Sequence, residues 1–146
     1  MQTDANEVYV GRYFGEHTYD ITPDMVRQYL ESVDDEHPWY SGSSSFGGPV
    51  APAMLLHSDV YRYQGWYLPR IYGNLHAKQD WEFFHPVMVG DRVATRSVIV
   101  ERYIKRDREY VVNEVTCFGA DGRMLNRGRT HQSFLLDSGG ASIVVD

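Results

Sequence analysis

From Leu75 onward, apolar and polar side chains alternate along the chain. The clearest stretch sets Val111, Asn113, Val115 and Cys117 against Tyr110, Val112, Glu114, Thr116 and Phe118. A period of two belongs to a strand with one buried face. It predicts strands at about 75–84, 92–104, 109–119 and 123–136. Asp121-Gly122 marks a tight hairpin between the last two, and the run from His85 to Asp91 reads as a turn linking two strands. Before Leu75 the pattern is different. A short strand is expected over Glu16–Ile21. Thr22-Pro23-Asp24 then gives a helix start: a hydroxyl at the N-cap, proline at the first position, an acid in the first turn. Met25, Val26, Tyr29, Leu30 and Val33 follow at helical spacing, and this helix should end near Asp34. Residues 41–49 are a Gly/Ser loop by composition. A second helix is predicted from about Pro52 to about Tyr63, carrying Ala53, Met54, Leu55, Leu56, Val60 and Tyr61. Apolar over much of its circumference, it reads as a core element. Residues 1–11 read as a partly ordered lead-in, and the tail from Asp137 to Asp146 is expected to be loosely held.

This order predicts an α+β fold, one antiparallel sheet curved around a central apolar helix. The helix needs a concave apolar face and the strands need a cover. A chain of 146 residues is expected to form one domain over 1–146, with an ordered core of about 10–136. No apolar run is long enough to span a bilayer, and Met1-Gln2-Thr3-Asp4 has neither a basic nor an apolar leader region. With a single cysteine, Cys117, no intrachain disulfide can form, and a cytoplasmic location is expected. The net charge of −6 argues against a nucleic-acid partner, which needs clustered cations. Arg123, Arg127 and Arg129 alternate along one predicted strand. They read as a solvated sheet face or as contacts for a carrier's phosphate. Eleven tyrosines suit strands and the walls of an organic-ligand pocket equally. No zinc-ligand spacing, dinucleotide fingerprint, phosphate loop or nucleophile elbow occurs, so no metal or cofactor is called for. Cys117, in mid-strand, reads as a packed thiol, and His85 beside Pro86 as a turn residue.

The most informative segment is Asp35-Glu36-His37-Pro38-Trp39-Tyr40, followed by Ala51-Pro52-Ala53-Met54-Leu55-Leu56-His57. It sets an acid and a phenol five positions apart, just after an amphipathic helix. With Gly48-Pro49-Val50-Ala51-Pro52-Ala53-Met54 and the long run from Leu75-His76-Ala77-Lys78-Gln79 to Gly90-Asp91, it resembles the MaoC-like hydratases and dehydratases of the hot-dog fold. The similarity is greatest to their N-terminal-type branch, which includes the FAS1-like dehydratase domains. The family's catalytic motif reads Asp-x-Asn-Pro-x-His. On this chain Asp35 and Pro38 take the Asp and Pro places, His37 replaces Asn, and Tyr40 replaces the catalytic His.

The resemblance implies a hydro-lyase that dehydrates a 3-hydroxyacyl thioester or hydrates an enoyl thioester, carried by coenzyme A or an acyl-carrier protein. Such chemistry needs a base for water, an acid for the α-carbon and donors for the enolate oxygen. Asp35 is the candidate water-activating group. Backbone N–H groups at the start of the central helix, near Ala53 and Met54 and just beyond Pro52, are candidate carbonyl donors. Tyr40 would donate a hydrogen bond or orient water; with Trp39 it also reads as aromatic wall. His37, His57 and His76 are the candidates for the missing imidazole, each with a structural alternative. Hot-dog domains pair edge to edge, so a homodimer or dimer of dimers is expected, with no membrane partner. Two other readings stand beside the hydro-lyase. One is a non-catalytic subunit pairing with a motif-complete hot-dog chain, as in N-terminal-type subunits that lack the histidine. The other is a hot-dog thioesterase.

Overall fold

The computed structural model describes residues 4–63, 65–69 and 73–136; the tail from Asp137 to Asp146 lies outside the described residues. Five strands form one antiparallel sheet: β1 (Tyr13–Asp20), β2 (Leu75–Phe83), β3 (Arg92–Lys105), β4 (Arg108–Gly119) and β5 (Met124–Leu135). Their order across the sheet is β1-β3-β4-β5-β2, so β1 and β2 are the edges. The helix expected after Thr22 is α1 (Pro23–Val33). The Thr22 hydroxyl accepts from the Met25 N–H at 3.1 Å, and Asp34 stops the helix in the left-handed conformation at φ 54°. Of the two hairpins, β4–β5 turns through Gly122 at φ 82°, as Asp121-Gly122 predicts. The β3–β4 hairpin turns through Arg106 and Asp107 at φ 50° and 61°, a tight turn built without glycine.

One face of the sheet is apolar at both ends and polar across the middle. At one end Ile99, Val111, Val115 and Phe134 pack with Val60, Tyr63, Trp66 and Leu68. At the other, Val93, Cys117 and Leu125 pack with Ile21, Val26, Ala51 and Leu56, which brings α1 onto the sheet. Between them Thr95, Ser97, Asn113 and Thr130 are buried, and the Ser97 hydroxyl donates to Asn113 Oδ1 at 2.7 Å.

The predicted central helix is not an α-helix. Residues 53–58 run as successive turns, and a short 3₁₀ helix covers Asp59–Arg62. The bonds are i→i+3: Leu55 N to Pro52 O, His57 N to Met54 O and Tyr61 N to Ser58 O. The reason lies in the carbonyls. His57 Nδ1 takes Met54 O at 2.7 Å, Gln79 Nε2 takes His57 O at 3.3 Å, and Trp66 Nε1 takes Val60 O at 3.3 Å. Side chains thus occupy carbonyls that α-helical bonds would use. The segment still covers the sheet, and polar pins hold it there. The Tyr19 hydroxyl donates to the buried Asp59 carboxylate, which also accepts from Arg62 Nε at 3.2 Å. The Tyr63 hydroxyl donates to Thr95 O at 2.6 Å. This is the α+β hot-dog arrangement with its central element tightened into 3₁₀ turns.

On the same face, Trp81 of β2 lies flat across Gly128 of β5, its register partner. A Cβ at Gly128 would sit 2.7 Å from Trp81 ring atoms. Gly128→Ala is therefore expected to lower the unfolding free energy by about 1–3 kcal/mol, as overpacking does. A thermal melt coinciding with that of the wild type would contradict this packing.

Candidate functional site

The segment after α1 closes on itself. The N–H of Asp35 still bonds Leu30 O at 3.0 Å, so the left-handed Asp34 turns the chain while Asp35 stays anchored to the helix end. Asp35 Oδ1 accepts from the His37 N–H at 3.1 Å. Pro38, with its fixed φ, then opens a single 3₁₀ turn over Pro38–Tyr40. The His37 ring caps it, Nδ1 accepting from the Trp39 N–H at 3.2 Å, which places the ring proton of the neutral form on Nε2. This turn carries the Tyr40 side chain back to Asp35. Burial chiefly, then the Asp35 charge and a hydrogen bond to it, hold the Tyr40 phenol above its ordinary pKa. The His37 ring stands edge-on to Tyr40, with centroids 5.8 Å apart.

The turn at His85–Asp91 fixes where the covering segment begins. Ala51 N bonds Val87 O at 2.7 Å, Val89 N bonds Pro49 O at 3.0 Å and Val50 N bonds Trp39 O at 2.9 Å. Trp39 and Tyr40 are thereby tied to the start of the cover. Two cavities meet at Tyr40. The first, about 720 Å³, lies between α1 and the 34–41 segment and includes Asp35, His37 and Tyr40 in its wall. Its rim carries Glu31, Asp34 and Glu36, while its Arg27 is held by Asp24 and Glu31. The second, about 360 Å³, is an aromatic slot that includes Trp39, Tyr40, Ala53, Phe83, His85 and Asn126. A third, about 590 Å³, shares Phe46, Phe84 and His85 with the second and opens at Arg92 and Arg123.

The sequence candidates divide on this map. Asp35, His37 and Tyr40 are together, and Trp39 and Ala53 line the adjoining slot. His57 lines neither of these two cavities. It stands 6.4 Å, ring to ring, from Tyr29, a residue close enough to Tyr40 to bear on its titration. His76 is exposed on β2 and pairs with the Tyr61 hydroxyl at 3.0 Å, away from Asp35. Pro52 is buried and Met54 exposed. The N–H groups of Ala53 and Met54 make no backbone hydrogen bond among the described residues. They remain free donors, but with no α-helix behind them the helix-dipole argument does not apply. Of the three arginines, Arg127 chelates Glu82 at 2.9 and 3.0 Å and Arg129 holds Glu114 at 2.7 Å. Arg123 meets Asp121 only at 3.8 Å and faces the third cavity. Burial pushes the Cys117 thiol up to about 12, so it is an unreactive packed group.

Two residues at the slot escaped the sequence reading. His85 is a turn residue and also a wall of the second and third cavities. Asn126 is buried on β5 opposite Phe83. Local pattern carries no signal for either, since both are placed by strand register.

Among the described residues no helix is long and apolar enough to cross a membrane, and no group of three or more His, Cys, Asp or Glu could hold a metal ion.

Comparison with known proteins agrees with this fold. No curated protein matches the sequence significantly. Solved structures share the fold. An (R)-hydratase from A. caviae involved in PHA biosynthesis superposes with a TM-score of 0.70 at 21% identity, covering 90% of this chain and 100% of that one. An R-hydratase from Pseudomonas aeruginosa gives 0.68 at 18% identity, covering 97% and 94%. The C-terminally truncated HadBC (3R-hydroxyacyl-ACP dehydratase) complex from Mycobacterium tuberculosis gives 0.69 at 18% identity, covering 91% and 99%. The model of the FAS1-like dehydratase domain region matches residues 8–126. The chain belongs to the FAS1-like dehydratase-domain family, and it has the fold of these solved hydratases and dehydratases.

Proposed function

We propose that the protein is a hydro-lyase that adds water to, or removes it from, an acyl thioester carried by coenzyme A or a carrier protein. The observation that carries this reading is the Asp35–Tyr40 pair, an acid and a phenol in the wall of one cavity, close enough for the carboxylate to raise the phenol's pKa, with Tyr40 also lining a second cavity. The aromatic slot suits the acyl group. The carboxylate rim of the first cavity repels a phosphate.

In the hydration direction, Asp35 takes a proton from water as the oxygen bonds to C3. The C2–C3 electron pair moves toward the thioester carbonyl, giving an enolate. Tyr40, kept protonated by its surroundings, delivers its proton to C2, and Asp35 returns the captured proton to Tyr40 through their hydrogen bond. The proton count closes without a cofactor, and dehydration reverses each step. His37 is the imidazole of this site: its ring braces Tyr40 and its N–H orients Asp35. His57 and His76 have no part in it.

Asp35→Asn keeps size and removes the base. It is expected to lower kcat on enoyl thioesters at least about 100-fold while the melting temperature holds. Tyr40→Phe and Tyr40→His should both lose rate, because each removes the phenolic donor. The alkaline limb of the wild-type rate should lie above pH 10, since the Tyr40 proton is held more tightly than in a free phenol of pKa 10.0. Near-wild-type turnover by Asp35→Asn would refute the assignment.

A second reading rests on Tyr40 itself, which stands where the family motif has histidine. In it the chain shapes the acyl site beside a motif-complete partner. A wild-type chain silent on every thioester, yet active on mixing with such a partner, would establish it. Release of free thiol would instead indicate a thioesterase. In either reading the chain pairs through β2, an edge strand with exposed Leu75 and Phe83. Sedimentation at micromolar concentration should give a dimer or dimer of dimers, or in the second reading a heteromer; a monodisperse monomer, alone and with partner, would contradict this.

A further inference from the structure

Asn126 is only 2% exposed. Buried carboxamides are normally hydrogen-bonded, because an unpaired one forfeits its solvation. Yet the Asn126 side chain has no hydrogen bond among the described residues and is not one of the fully enclosed unpaired groups, so its carboxamide is reached from the aromatic slot that it lines with Tyr40 and Ala53. Strand register puts it on the inner face with Gly128 and Thr130, and an irregularity follows directly. Cys117 pairs with Asn126 while the next residue of β4, Phe118, pairs with Met124, leaving Leu125 as a bulge in β5. The bulged carbonyl is held from the far side, accepting Phe84 N at 2.9 Å and His85 N at 3.1 Å. The backbone of residue 126 is thus fixed by both neighbouring strands and by the turn that follows β2. Around it the slot wall is mostly apolar: Trp39, Phe46, Val50, Ala51, Phe83 and Phe84. Such a slot, with an uncharged amide and no lysine or arginine in its wall, suits a neutral oxygen acceptor.

We infer that Asn126 is a substrate-binding residue whose carboxamide N–H donates to the thioester carbonyl oxygen, opposite the free backbone N–H groups of Ala53 and Met54. This rests on the hydro-lyase reading and adds to it a donor for the developing enolate. The carbonyl carbon adjoins C2, which Tyr40 must reach, and Tyr40 and Asn126 share the slot. A donor there bonds the carbonyl in the ground state and bonds it more strongly as negative charge builds.

The test uses the full chain with crotonyl-coenzyme A carrying a ¹³C-labelled carbonyl. Asn126→Leu, close in volume, removes both amide groups; Asn126→Ser keeps a small donor. Isotope-edited infrared difference spectra of the bound thioester should show the carbonyl stretch at lower frequency in the wild type than in Asn126→Leu. In parallel, kcat should fall about 10- to 100-fold in Asn126→Leu with KM changed less than threefold, and Asn126→Ser should lie between. If Asn126→Leu binds and turns over like the wild type with an unshifted carbonyl band, the inference fails while the hydro-lyase reading survives. The inference also fails if both variants lose rate in proportion to a lowered melting temperature with the band unmoved, for then Asn126 is structural. If the wild type neither binds nor converts the thioester, both readings fall together.

Discussion

The fold depends on keeping one non-helical segment pressed against the sheet. Residues 50–63 and 65–68 cover the inner face with no α-helical hydrogen bond of their own among the described residues, so their order must come from elsewhere. It comes from polar pins into the strands: Asp59 to Tyr19 of β1, Tyr63 to Thr95 of β3, and Gln79 of β2 to the His57 carbonyl. Each joins a group that burial would otherwise leave costly. Together they lock the cover in register with both edges of the sheet, since β1 and β2 are those edges. Apolar packing at the two ends supplies the bulk of the driving force, while the pins decide where the segment sits.

The site hangs on one end of this cover. Backbone bonds from residues 49–51 to Val87, Val89 and Trp39 join the cover, the His85–Asp91 turn and the 35–40 loop at one corner. That corner is where the cavities meet at Tyr40. The proton pair is nearly all local: an αL residue ends α1, a carboxylate accepts from the backbone two residues on, and one 3₁₀ turn brings the phenol back. Its neighbours are not local. His85 and Asn126 reach the slot through the pairing of β2 with β5 and the bulge at Leu125.

This difference explains what could be read from the sequence. β3 and β4 were legible because alternation holds over much of their length, and β5 because Asp121-Gly122 marks the hairpin that leads into it. The start of α1 was legible because Thr22, Pro23 and Asp24 each meet a specific terminal requirement. Asp35 and Tyr40 were legible as a pair because their spacing is closed by a local turn. The central helix was misread because its composition suits a helix. Its turns close instead on i→i+3 bonds, and Gln79 and Trp66, distant in sequence, bond two of its carbonyls. Asn126 could not be found at all, for a strand asparagine acquires meaning only once register and bulge are known. Nor does sequence alone say which of His37, His57 and His76 lies beside Asp35 and Tyr40; His37 shares their cavity wall.

The proposed chemistry rests on Asp35 and Tyr40 passing protons between water and the α-carbon of an acyl thioester. The most direct measurement is product analysis after incubating the purified chain with an enoyl thioester in ¹⁸O-enriched water. One ¹⁸O atom should appear at C3 of an intact 3-hydroxyacyl thioester, and the label should vanish with Asp35→Asn. Label found instead in a free carboxylic acid, with thiol released, would contradict the claim.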